Sequence, residues 1–66
     1  MFKGKYKNLA AEMQRKGITQ VKLANELGLS KLQIHYRLYG VTEWKMEEIW
    51  KILEIFDNEF EYLFKF

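Results

Sequence analysis

Within the stretch KLQIHYR stand five residues of the types that read the edges of DNA bases: Lys31, Leu32, Gln33, His35 and Tyr36. A lysine ammonium donates to guanine O6 and N7, and a leucine packs on a thymine methyl. Lys31, Leu32 and Tyr36 are the strongest base-edge candidates, while Gln33 and His35 sit at the margins of the same surface, within reach of bases or backbone. Around them are residues suited to phosphate. Gln20 and Ser30 fall at predicted helix starts, where backbone N–H groups and a side-chain hydrogen bond hold anionic oxygens, and Lys22 and Arg37 supply cations.

Catalytic alternatives do not assemble from this sequence. His35 is the only histidine and there is no cysteine, so no metal-ligand set forms around it. Ser30 is the only serine, and its five-residue offset from His35 puts the two on different faces of a helix, which excludes a nucleophile and base pair. Glu47 and Glu48 are adjacent in sequence and diverge on a helix. Nor is there a glycine-rich phosphate loop. The sequence therefore predicts a protein that is not an enzyme and needs no cofactor or metal.

Two short helices must position the reading residues. Thr19 can cap the first, which buries Leu23, Ala24 and Leu27, and Gly28 ends it by accepting positive φ. Ser30 with Gln33 three residues later makes a capping box for the second helix. Ile34 and Leu38 face inward on that helix, which turns Lys31, Leu32, His35 and Tyr36 outward, and Gly40 closes it. A helix pair joined by such a turn is the layout of a helix-turn-helix, whose second helix enters the major groove of DNA.

The order Gln20, Ala24, Gly28, Ile34, Leu38, Gly40 resembles the helix-turn-helix of the phage repressor and Cro family, the lambda-repressor-like domains. In that pattern the small residue at Ala24 lets the helices touch, Gly28 makes the turn and Ile34 fills the space between them. The resemblance runs from Tyr6 to about Phe64. It implies an all-α fold, a compact five-helix domain with the helix-turn-helix at helices 2 and 3, and DNA contacts at Gln20, Lys31, Leu32 and Tyr36. Two positions depart from the pattern: Leu32 stands where polar side chains are more usual, and Tyr39 where asparagine is common.

The remaining segments read as support. A basic arm over residues 1–5, with Gly4 discouraging helix, is expected to fray. Helix 1 carries Tyr6, Leu9, Ala10 and Met13 on a core stripe and runs to Lys16, with Gly17 as its stop and Ile18 as a buried anchor. After Gly40, Trp44 docks the connecting segment. Helix 4 extends from about Met46 to Phe56, with Met46, Ile49, Trp50, Leu53 and Phe56 on one face and Ile52 and Ile55 widening it. Asn58 is placed to cap a fifth helix bearing Phe60 and Leu63, with Phe64 as a further candidate for its inward side. The expected organisation is one helix-turn-helix domain over residues 1–66, with residues 19–40 as the motif and 58–66 as a C-terminal helix and aromatic tail. At this length about 60% of the unfolded surface is buried on folding, so stability is modest.

Charge divides the chain. Residues 1–37 hold eight Lys or Arg against two Glu, a net +6, whereas residues 38–66 hold three Lys against seven carboxylates, a net −4. The basic half contains the reading helix, as counterion release on phosphate binding requires, and the acidic half is expected to face away from DNA. No apolar run approaches the roughly 20 residues that span a membrane, and no apolar segment follows the charged N-terminus as in a secretory signal, so the cytoplasm is the expected compartment.

The aromatics Phe60, Tyr62, Phe64 and Phe66 exceed what one short helix buries. Either the surplus faces outward as a homodimer interface or it folds back on the domain. The functional expectation is a sequence-specific transcriptional regulator, Cro-like or repressor-like, that occupies a double-stranded DNA operator. The competing expectation is a modulator or antirepressor that binds a regulatory protein partner through Leu32, Tyr36 or the aromatic end.

Overall fold

The structure, a computed structural model, describes residues 4–65. Five α-helices succeed one another: α1 Lys7–Lys16, α2 Gln20–Leu27, α3 Lys31–Leu38, α4 Met46–Phe56 and α5 Phe60–Leu63. Among the described residues there is no strand, as the all-α expectation requires.

Local chemistry accounts for the α2–α3 pair. The Thr19 hydroxyl accepts the Lys22 amide at 3.1 Å, and the Ser30 hydroxyl accepts that of Gln33 at 3.1 Å. Gln33 reciprocates through Oε1, which accepts the Ser30 amide at 2.8 Å, completing the capping box. Between them Gly28 sits at φ 70, and the Leu29 amide returns to the Ala24 carbonyl at 2.9 Å. That closure satisfies a helix-end carbonyl and lets α3 start at once in a new direction.

Seven side chains are fully buried where the helices meet: Leu9, Leu23, Ile34, Leu38, Ile52, Phe56 and Leu63. Each contributes about 1.5–3 kcal/mol by leaving water. Beside them is an aromatic cluster in which Phe64 meets Tyr6 and Trp44 edge-on, both with ring centroids at 5.6 Å. Trp44 thus docks the α3–α4 connection, as its position implies. Between α1 and α5, the Asn8 side-chain Nδ2 donates to the Tyr62 carbonyl at 2.9 Å, and the Tyr62 hydroxyl reaches the buried Glu12 carboxylate at 3.5 Å.

Several expectations need correction. Tyr6 precedes α1 rather than opening it, because its ring is taken up by the aromatic cluster. Of the basic arm, residues 1–3 lie outside the described residues, and Lys5 is tied down, its backbone amide donating to the Leu38 carbonyl at 3.0 Å. On α4 the buried line is Glu48, Ile52 and Phe56, while Met46 and Trp50 point outward, 59% and 60% exposed. Asn58 does not cap α5. Its Oδ1 accepts the neighbouring Glu59 amide at 2.8 Å, and Glu59 is the residue that opens the helix.

Candidate nucleic-acid interface

The outward face of α3 is determined by what its inward face must bury. Ile34, Arg37 and Leu38 form the inner line, which leaves Lys31, Leu32, Gln33, His35 and Tyr36 exposed. Leu32 is 59% exposed, an apolar side chain between Lys31 and Gln33 in sequence. Gln20, Lys31, Leu32 and His35 line one shallow concavity of about 360 Å³ where the start of α2 meets the outer side of α3. The two helices thus bring together residues 11 positions apart in sequence, Gln20 and Lys31, on one surface.

Side-chain freedom differs along this face. Gln33 commits its carbonyl oxygen to the cap, so only its NH₂ group remains to meet a ligand. Ser30 is engaged in the same box, yet it stays at the exposed start of α3, a position suited to a phosphate oxygen. His35 stacks on Tyr39, centroids 4.3 Å apart, and lies 6.1 Å from the Tyr36 ring. Tyr39, which departs from the usual pattern, therefore acts as a backing plate for His35. Lys22 is exposed on α2. No carboxylate is among the outward residues of α3, and Glu26 of α2 lines a separate cleft with Lys51, Glu54 and Ile55. The surface accordingly sets the Lys31 cation and the hydrogen-bonding groups of Gln33, His35 and Tyr36 around the apolar Leu32.

Arg37 is the exception to the expected phosphate set. It is 8% exposed, and its Nε and Nη2 donate to the two carboxylate oxygens of buried Glu48 at 2.7 and 3.2 Å. Nη1 donates to the Thr42 hydroxyl at 3.2 Å. Glu48 Oε1 also accepts the Lys45 amide at 3.0 Å. A bidentate pair with this support neutralises both charges inside the protein, so Arg37 fixes α3 to α4 and is not available to DNA. Sequence reasoning missed Glu48. The signal was present: Glu48, Ile52 and Phe56 recur every fourth residue, and Arg37 falls three after Ile34 on the inner line of α3.

The aromatic end is divided. Phe60 and Tyr62 are 49% and 40% exposed, but Phe64 is buried in the aromatic cluster and so drops out of the outward set. Phe66 lies outside the described residues.

Capped helix, glycine turn, capped helix and an outward donor-rich face are the features of a DNA-reading unit, and a helix-turn-helix family model matches residues 9–63. The chain belongs to the helix-turn-helix family of the phage repressor and Cro type. Members of this family are DNA-binding transcription regulators, and α2 with α3 is the helix-turn-helix here. No curated protein and no solved structure gives a significant match. Among the described residues no helix is long and apolar enough to cross a membrane, and no group of three or more potential metal ligands gathers.

Proposed function

We propose that this chain is a sequence-specific, Cro-like or repressor-like regulator that acts by occupying a DNA operator. The observation that carries the reading is the concavity formed by Gln20, Lys31, Leu32 and His35, which joins the start of α2 to the exposed side of α3. In the bound state Lys31 donates to a guanine edge, Leu32 covers a thymine methyl and Tyr36 reaches a neighbouring base. Gln33 and His35 work at the margins of that contact. Gln20, Ser30 and Lys22 hold phosphates and fix the register. Occupancy alone then blocks transcription, in the compartment that holds the DNA.

A homodimer fits this mode of action, because two copies place their reading helices about 34 to 36 Å apart, one helical turn of DNA. Phe60 and Tyr62 support such a contact, and the outward Met46 and Trp50 enlarge the exposed apolar area. The same residues, with Leu32 and Tyr36, favour the second reading, a modulator that binds another regulator. Selection of random duplex DNA by the purified protein at about 150 mM salt separates the two. A symmetric preferred site with a steep salt slope is the expected result. Absence of any preferred duplex, together with capture of a regulator protein, would overturn the operator reading.

A further inference from the structure

Resting on the homodimer reading above, we infer that the outward stripe of α4 is the dimer seam, meeting the same stripe of a second copy in antiparallel orientation about a two-fold axis between Ile49 and Trp50. Met46, Ile49, Trp50 and Leu53 fall at the i, i+3, i+4 and i+7 positions of one helix, the spacing that makes a continuous apolar line. Ile49 and Leu53 rest half-buried against the core, while Met46 and Trp50, one turn apart, stand out from it and are mostly exposed. This line is separate from the buried one of Glu48, Ile52 and Phe56. The helix therefore has two stripes, and the core covers only one.

Charge complementarity identifies the cover as a second copy. Glu47, Lys51 and Glu54 flank the stripe on its exposed side. Among the described residues none of the three forms an ion pair, although Glu47 and Lys51 stand one turn apart and Lys51 shares a shallow cleft with Glu26 and Glu54. Turning a second α4 about the axis sets Met46 level with Leu53 of the second copy, and Ile49 level with its Trp50. The long Glu47 side chain then meets Lys51 of the second copy, and exposed Lys45 comes level with its Glu54; the two-fold repeats both pairs. A parallel arrangement would instead set Glu47 on Glu47 and Lys51 on Lys51, and repel. The carboxylates of this flank equally turn away a DNA phosphate. Four apolar side chains and their flank are far fewer than the roughly 20–30 residues a side of a standard interface, so association is weak in free solution and two half-sites on one duplex reinforce it. The Arg37–Glu48 pair ties α3 to the inner side of the same α4, so pairing on α4 fixes the two reading helices relative to each other.

Sedimentation equilibrium of the full chain up to millimolar concentration, without DNA, tests the seam. Wild type is expected to self-associate. Glu47→Lys and Lys51→Glu each turn two attractions into two repulsions and should weaken association about tenfold. An equimolar mixture of these two variants restores both attractions and should associate as well as wild type, a recovery that a folding defect cannot produce. Trp50→Glu places a charge in the seam and should leave only monomer, with its melting curve unchanged. If two copies assemble only on the selected duplex, the same proteins are compared by their cooperativity there, with the same ranking expected. Association that neither single charge variant changes overturns the seam and leaves a homodimer on another surface. A mixture that associates more tightly than wild type overturns the antiparallel register. Wild type that stays monomeric and binds the selected duplex as one copy overturns the homodimer reading and the seam with it, while operator recognition stands.

Discussion

Helices α3 and α4 are neighbours joined by one buried ion pair, yet they use their outer faces in opposite ways. On α3 the outward residues are Lys31, Leu32, Gln33, His35 and Tyr36, donors and flat rings around one aliphatic side chain. On α4 they include Met46 and Trp50, large apolar groups set among Glu47, Lys51 and Glu54. Both helices have an inner line of two apolar residues and one charged one: Ile34, Arg37 and Leu38 against Glu48, Ile52 and Phe56. The difference teaches that the charged residues within this core serve to orient one helix on the other, while the outer faces are left to be chemically specialised. A DNA-reading face and an apolar face can therefore vary independently, provided Arg37 and Glu48 stay together.

Breaking the shared pair should have the largest effect. Arg37→Ala leaves the Glu48 carboxylate buried without its partner and is expected to cost about 3–5 kcal/mol of stability in denaturant unfolding. Replacing both, Arg37→Met with Glu48→Leu, should recover most of that loss. If the single variant unfolds at the wild-type denaturant concentration, the pair does not hold α3 to α4. The next effect lies on the outer face of α3. Lys31→Ala or Tyr36→Ala should weaken the selected operator by about 1–3 kcal/mol and blur its sequence preference, whereas Lys22→Ala weakens all duplexes alike. Equal losses on selected and random DNA for all three variants would contradict the division between reading and positioning.

How much of this division was legible in the sequence depended on whether the signal was local. Thr19, Gly28, Ser30 and Gln33 each act within one turn of their own position, and both caps and the turn form where the residues imply. The exposed side of α3 followed from the inward Ile34 and Leu38. By contrast, α4 contains seven apolar residues in eleven, so several stripes fit its pattern equally well. Which one is buried was decided by Glu48, and Glu48 is buried only because Arg37, 11 residues earlier, meets it. Phe64 shows the same dependence on distant partners: the C-terminal segment alone left it open to either side, and Tyr6 and Trp44 decide it by claiming its ring.

Two smaller effects sharpen the comparison. Ser30→Ala removes the side-chain acceptor of the α3 capping box and should cost about 1 kcal/mol of stability, seen as an earlier melting transition, with affinity falling further if Ser30 also meets phosphate. A transition unmoved by this change would mean that the Ser30 cap contributes nothing to α3. Trp50→Gln on the outer face of α4 should shift stability by no more than about 0.5 kcal/mol. Its expected consequence is instead a lower sedimentation coefficient at high protein concentration. Identical sedimentation of wild type and variant would remove Trp50 from any contact between copies.

Trp50 on that outer face and Trp44 in the connection before α4 form a built-in pair of optical reporters. Trp44 is held among Tyr6 and Phe64, and its indole nitrogen is buried with no hydrogen-bond acceptor among the described residues, whereas Trp50 is 60% exposed. The first should emit at shorter wavelength and resist quenching by iodide; the second should emit like a solvated indole and quench readily. Because α4 begins between them, a single emission spectrum separates two events in one titration. A change confined to the red component marks something covering the outside of α4, and loss of the blue component marks the opening of the fold itself.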